Sequence, residues 1–236
     1  SALIASKQSL RAAVSPPAPI LENVAAADNP GTLVSDLIAG AVTDVNDEVL
    51  GIAIHSVESL GGIWQYDLGQ GAGWAGFPAG LTDANALLLS ADASTRVRFL
   101  PAPNYYHVDG QADPKLTFRA WDRSNAVAGS LADASAYGGA SPYSNEFANA
   151  AITVNAVNHA PVAGLAESYE VAEDGELSTD APGLLENDSD PDGDPLQAVQ
   201  VGGPQHAATF VLNDDGSFTY APEANWSGVD TFQYQI

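Results

Sequence analysis

A chain of 236 residues holds one large or two ordinary domains, and its 45% apolar content is enough for a packed core. Seven basic residues stand against 30 acidic ones, a net charge of -23; this excludes nucleic acid as a partner and argues against an anionic membrane surface, and it favours bound cations and high solubility. Without Cys there is no disulfide framework and no thiolate metal site, and no run of about 18 apolar residues is present to span a membrane.

Along the chain, Ser1-Ala2-Leu3 has neither the basic region nor the apolar core of a signal peptide. The absent initiator Met points to a piece of a longer chain, and residues 1–15 read as the tail of a preceding module. Ser15-Pro16-Pro17-Ala18-Pro19 is a stiff proline-rich linker. One short helix, or a helical turn, is predicted over Thr32 to Ala39. After it, short alternating runs predict strands at Leu50 to Val57, Arg96 to Leu100, Lys115 to Trp121, Ala151 to Val157, Ser217 to Tyr220 and Thr231 to Ile236. Gly, Pro, Asn and Asp clusters separate them. That pattern predicts an all-β fold: two tandem antiparallel β-sandwich modules, residues 16–157 and 158–236, joined at Asn158-His159-Ala160-Pro161. The stretch from Asp122 to Phe147 reads as a long loop. The second module stops after its sixth strand, so its last strand is expected to be missing, disordered, or displaced beyond an inserted domain.

The two modules share a pattern, aromatic-x-Pro-x-x-Asn-aromatic: Phe99-Leu100-Pro101-Ala102-Pro103-Asn104-Tyr105 and Tyr220-Ala221-Pro222-Glu223-Ala224-Asn225-Trp226. A strand follows each, and an acidic loop precedes each upstream. In the first module that loop is Thr43-Asp44-Val45-Asn46-Asp47-Glu48. In the second it is Asn187-Asp188-Ser189-Asp190-Pro191-Asp192-Gly193-Asp194-Pro195. Carboxylates at every second position repel one another unless a cation sits among their oxygens, and hard oxygen ligands with Gly and Pro bends suit Ca²⁺. The run starts like a helix–loop–helix calcium motif, but its twelfth position is Val199 rather than a bidentate Glu.

Residues 158–236 resemble the cadherin-like or Ig-like tandem repeats of giant bacterial surface proteins. The resemblance rests on Asn158 to Pro161, Ala172-Glu173-Asp174-Gly175, Leu185 to Asp194, Asp215 to Tyr220 and Asn225 to Tyr234. Residues 16–157 resemble a longer relative, through Gly62 to Tyr66 and Leu116 to Asp122. Such repeats occur in RTX-type adhesins exported by type I secretion, although the glycine-rich nonapeptide repeats of that family are absent here. The resemblance implies a non-enzymatic, secreted cell-surface module that extends and orients a ligand-binding tip in adhesion and biofilm formation. Its partners would be neighbouring modules of the same chain, and cell-surface or matrix glycans through another domain, with no insertion into a membrane.

In a sandwich whose strands reverse at each turn, the second acidic loop returns to the pole of the linker. Asp188, Asp190, Asp192 and Asp194, with Asn158, are therefore expected to hold Ca²⁺ at the joint. Asp44, Asn46 and Asp47 are the counterparts in the first module, and Asp122 at the end of its strand is a further ligand. Glu173 and Asp174 are candidates too, in competition with plain Asp-Gly turn chemistry. Trp64, Trp74, Tyr137 and Tyr143 are candidate sugar-stacking residues, in competition with core packing. A carbohydrate-binding module and an accessory domain of a secreted polysaccharide-degrading enzyme are the alternative functions. Gly71 to Gly76 matches G-x-G-x-x-G but lacks a surrounding βαβ unit. The four histidines have no metal-ligand spacing, and no nucleophile elbow is present.

Overall fold

The structure, a computed structural model, describes residues 8–10, 14–44 and 50–236, and divides into two compact units, Ser1–Val157 and Asn158–Ile236. Its regular structure is almost wholly β, in several sheets with no barrel, as expected for sandwiches.

Unit 1 contains β1 (Gln8–Leu10), β2 (Ile20–Leu21), β3 (Thr32–Leu33), α1 (Val34–Leu37), β4 (Val42–Asp44), β5 (Gly51–Glu58), β6 (Gly62–Asp67), β7 (Ala75–Gly76), β8 (Ala86–Ser90), β9 (Arg96–Pro101), β10 (Lys115–Trp121), β11 (Leu131–Ala132), β12 (Tyr143–Ala151) and β13 (Val154–Asn155). A five-stranded sheet runs β11-β8-β5-β10-β12 and a four-stranded sheet β3-β9-β6-β7. Between them, Ile52, Ile54, Leu87, Leu89, Leu116 and Phe118 from the first sheet meet Trp64, Val97 and Phe99 from the second. The α1 turn adds Val34 and Leu37 to this core. Gln8–Leu10, expected to lie in a tail outside the module, pairs antiparallel with Val42–Asp44 and buries Leu10 in the same core.

The five-stranded sheet is apolar on both faces. Ala53, Ala86, Leu88 and Trp121 point outward into a second cluster with Ala134 and Tyr143. This explains why β8 escaped periodicity: all five residues of Ala86–Ser90 are buried, so nothing alternates. The roof of the second cluster is the segment between β10 and β12. The last part of the expected loop, from Tyr143 to Phe147, is strand, since Tyr143–Ala151 pairs with β10 along the sheet edge. The small and polar run Tyr-Ser-Asn-Glu-Phe-Ala-Asn-Ala-Ala conceals the strand, because only Ala148 and Ala150 face the main core, while Tyr143 enters the second cluster.

Unit 2 contains β14 (Leu177–Thr179), β15 (Val199–Gly202), β16 (Ala207–Leu212), β17 (Phe218–Pro222) and β18 (Gln233–Gln235), with a 3-10 turn at Gly183–Leu185. β14-β17-β16 form one sheet and β15-β18 another. Its core is small: Leu184, Phe218 and Tyr220 are buried, with Phe210 and Phe232 in ring contact at 4.6 Å. The 3-10 turn docks backbone to backbone on the β16–β17 hairpin, where the Leu184 N–H donates to the Gly216 carbonyl at 3.0 Å. Gly216 has φ +80°, and a Cβ there would lie 2.1 Å from the Pro182 carbonyl oxygen. The left-handed backbone alone costs a non-glycine residue about 1–2 kcal/mol. Gly216→Ala is therefore expected to lower the unfolding free energy of unit 2 by more than that amount in a urea titration, with Gly193→Ala, whose Cβ meets nothing within 4 Å, as the milder control.

Candidate functional site

The acidic loop begins at Asn187, two positions after the 3-10 turn ends at Leu185, and is drawn against the start of unit 2. Val162 and Ser189 form an isolated antiparallel bridge, with N–H to carbonyl distances of 2.7 and 3.1 Å. Asp188 Oδ1 accepts the Gly164 N–H at 2.7 Å, and Asn187 donates its amide to the Leu165 carbonyl at 2.7 Å. Asp192 accepts the His159 N–H, and its Oδ1 lies 3.1 Å from His159 Nδ1. The segment 158–165 and the loop 187–194 thus form one structure, stitched by backbone and carboxylate together. Asn158 is exposed and donates to the His159 carbonyl.

Within the loop, Asp190 Oδ1 accepts the N–H of Asp192 at 2.8 Å and of Asp194 at 3.3 Å, and Gly193 takes the left-handed φ of +76° that closes the turn. A comparison inside the same chain shows what is unusual here. Asp92, Asp122, Asp133 and Asp215 each sit in an Asp-x-Ser turn, where one carboxylate oxygen accepts both the N–H and the hydroxyl of the serine two residues on. In Asp190-Pro191-Asp192 the serine is replaced by a second carboxylate. The turn keeps its N–H donor, loses its hydroxyl donor, and gains a negative charge. Carboxylates lie at every second position from Asp188 to Asp194, the kind of oxygen-rich turn that suits hard cations.

Two further groups tune the loop. The Asp192 carboxyl is held below the usual carboxylate range by the His159 N–H first and the His159 ring second. Its stabilisation is present above about pH 4 and is lost as pH falls through its depressed value. The Tyr234 hydroxyl lies between the Leu184 carbonyl at 3.1 Å and Asp188 Oδ2 at 3.2 Å. Burial, with Asp188 second, pushes its pKa up to about 12. Nothing in the sequence marked Tyr234 as a partner of the acidic loop; it lies 46 positions from Asp188.

The remaining candidates fall elsewhere. Glu173 and Asp174 are not brought to the acidic loop. Leu177 pairs with Tyr220 and Thr179 with Phe218, so the Asp174 turn lies at the Pro222 end of β17, while the 3-10 turn sits at the Gly216 end. Asp174, at φ +60°, instead accepts the Asn225 N–H at 3.0 Å. The same device occurs in unit 1: Asn23, at φ +56°, accepts the Asn104 N–H at 2.9 Å. Asn104 and Asn225 are the asparagines of the shared aromatic-x-Pro-x-x-Asn-aromatic pattern, both at φ +58°. The pattern is a turn lock, and Asp174 serves it as Asn23 does.

In unit 1, Asp44 lies on β4 opposite Gln8, and Asn46 and Asp47 fall outside the described residues. Asp122 is 3% exposed; its Oδ1 is used by Ser124, and its Oδ2 is buried with no hydrogen-bond partner. Glu22, missed from sequence, is equally buried and accepts the Val157 N–H at 2.7 Å where unit 1 ends. A lone Glu after two apolar residues carries no periodic signal that would have found it.

Two of the four aromatic candidates are core residues. Trp64 is 3% exposed, packs on Phe99 at 5.3 Å and donates its indole N–H to the Glu58 carbonyl. Tyr143 is 2% exposed and bonds Asn125. Both bury their faces in cores and present none to a sugar. Trp74 and Tyr137 are only partly covered, but each has an arginine on its ring: Arg98 at 4.1 Å and Arg119 at 3.8 Å.

Residues 158–236, the whole of unit 2, match the family model described as the bacterial cadherin-like domain. No curated protein and no solved structure matches the chain. Among the described residues, no helix is long and apolar enough to cross a membrane.

Proposed function

We propose that this chain is a non-enzymatic, calcium-binding segment of a large bacterial surface adhesin, of the RTX type, that extends and orients a binding tip in adhesion and biofilm formation. The observation that carries the reading is the stitching of the acidic loop to residues 158–165, through Val162–Ser189, Gly164–Asp188 and His159–Asp192. An ion held by Asp188, Asp190, Asp192 and Asp194 would tie the entry segment of unit 2 to its body. Movement of the linker would then have to break metal–oxygen bonds. The donor set fits: several carboxylates on one tight turn, with backbone carbonyls beside them, suit Ca²⁺ and no softer metal. In unit 1, Asp122 would be a ligand, because its buried Oδ2 lacks a hydrogen-bond partner and a cation would coordinate it.

Unit 2 also has reason to use such an ion. Below about 70–80 residues a single core rarely supplies more than ~3–5 kcal/mol, and small domains add metals or disulfides; here there is no Cys. The chain's partners in this reading are neighbouring modules, with glycans met through another domain. Calorimetric titration of Ca²⁺ into the whole chain, with Asp190→Asn/Asp192→Asn beside it, tests the site. X-ray scattering with and without chelator tests the stiffening. Binding that survives both substitutions would overturn the site, and superimposable scattering profiles would overturn the mechanical role.

A further inference from the structure

In unit 1 the first part of the roof is held by β11 on β8, and one buried arginine ties its later part, with the start of β12, to the five-stranded sheet. Arg119, 5% exposed, spends its guanidinium on the roof and on Asp83. Nε donates to Asp83 Oδ1 at 3.0 Å and Nη2 to Oδ2 at 3.5 Å. Nη1 donates to the Asn145 carbonyl at 2.6 Å, and the Tyr137 ring covers the cation at 3.8 Å. Asp83 holds the roof a second time, since its carbonyl accepts the Ala134 N–H at 2.6 Å. Asp83 is thus both the counter-ion of Arg119 and an anchor of the segment above it.

His55 lies against this pair with one ring nitrogen facing Asp83 and the other buried without a partner. The register of β5 against β10 slips between Thr117↔Ser56 and Phe118↔Ile54, leaving His55 as the extra residue of a bulge. Bulges re-aim side chains. His55 Nδ1 stands 3.9 Å from Asp83 Oδ1, the oxygen that already accepts from Arg119, and Nε2 is buried with no hydrogen-bond partner. The Phe147 ring, itself 52% exposed, stands edge-on to His55 at 6.1 Å. The charged groups acting on His55 are Asp83 before β8 and Arg119 on β10; on β12, the Glu146 carboxylate is engaged by the Asn145 amide at 3.0 Å.

We propose that His55 is an acid-operated release for the roof segment 133–145, acting through Asp83. A proton on His55 sets two cations on one carboxylate oxygen and gives Nε2 a buried N–H with no acceptor. The strain is relieved when Asp83 turns from Arg119 to His55, or when His55 swings past Phe147 to water. Either movement loosens Tyr137 and the Ala134 anchor. Burial, the largest influence, lowers the His55 pKa, and Asp83 opposes it. The roof is therefore fully held above about pH 6.5 and loses that support as pH falls through the depressed value.

The test is hydrogen exchange on the whole chain at the Ala134 and Gly138 amides, from about pH 7.5 to about 5, corrected for intrinsic rates. Protection in the wild type is expected to fall by about tenfold for each pH unit separating the folded and unfolded values, and to stay flat in His55→Gln. A flat wild type, or an equal fall in His55→Gln, overturns the proposal. Should His55→Gln misfold, ring-proton titration of His55 in Tyr137→Ala decides. A midpoint moved up towards 6.5 supports the coupling, and an unmoved one overturns it.

Discussion

Saturating Ca²⁺ is expected to raise the melting temperature of unit 2 by roughly 10–20 °C. A ligand that binds only the folded state at a hundred times its dissociation constant adds about 2.7 kcal/mol, and for a domain of this size each kcal/mol moves the midpoint by about 4–8 °C. In the proposed site, binding would depend on the loop being ordered against residues 158–165, because Asp188 and Asp192 are placed by the Gly164 and His159 N–H groups. The informative variant is Asp190→Asn/Asp192→Asn. Asparagine retains an oxygen for the Asp190 turn bonds at 2.8 and 3.3 Å, so the loop geometry survives while the ligand charge is lost. The calcium-induced shift should shrink to a few degrees, with little change in chelator. An equal shift in variant and wild type, read by calorimetric scans, would refute the metal site.

Trp64→Ala is expected to cost unit 1 about 3–5 kcal/mol, the usual range for deleting a buried tryptophan. The indole fills the space between the two sheets beside Phe99, and its N–H satisfies the Glu58 carbonyl. Deletion leaves both a cavity and an unpaired carbonyl. Denaturant titration should show the midpoint falling with the slope unchanged. Trp74→Ala, which uncovers Arg98 but opens no core, should cost about 1–2 kcal/mol, the scale of a cation–π contact and its buried area. A small effect at Trp64 would contradict its role as core and reopen it as a ligand-facing ring.

What was legible in the sequence divides along physical lines. The all-β class was readable because alternation and turn residues are local properties, and the acidic loop because like charges at every second position need an explanation wherever they lie. The shared aromatic-x-Pro-x-x-Asn-aromatic pattern was readable as a repeat, but its purpose was not. Its asparagine N–H groups are bonded by Asn23 and Asp174, 81 and 51 residues away. For the same reason Asp174 looked like a calcium ligand: an isolated Asp-Gly does not reveal which N–H its carboxylate accepts. β8 and β12 were hidden because one is buried on both faces and the other is built of small and polar residues.

By itself, then, the sequence determined the fold class, the surplus of carboxylates and the place of the acidic loop in the chain, since composition, alternation and charge spacing need no partner to be read. The tertiary structure alone decided which carboxylates are already occupied by donors. Asp92, Asp133 and Asp215 are closed by serine hydroxyls, Asp174 by Asn225, and Asp230 by the Gln205, His206 and Thr231 N–H groups. In the acidic loop Asp188 holds the Gly164 N–H and the Tyr234 hydroxyl, Asp192 the His159 N–H, and Asp190 two loop N–H groups but no serine hydroxyl. A carboxylate's availability to a cation depends on the donors that folding brings to it, and those come mostly from distant parts of the chain.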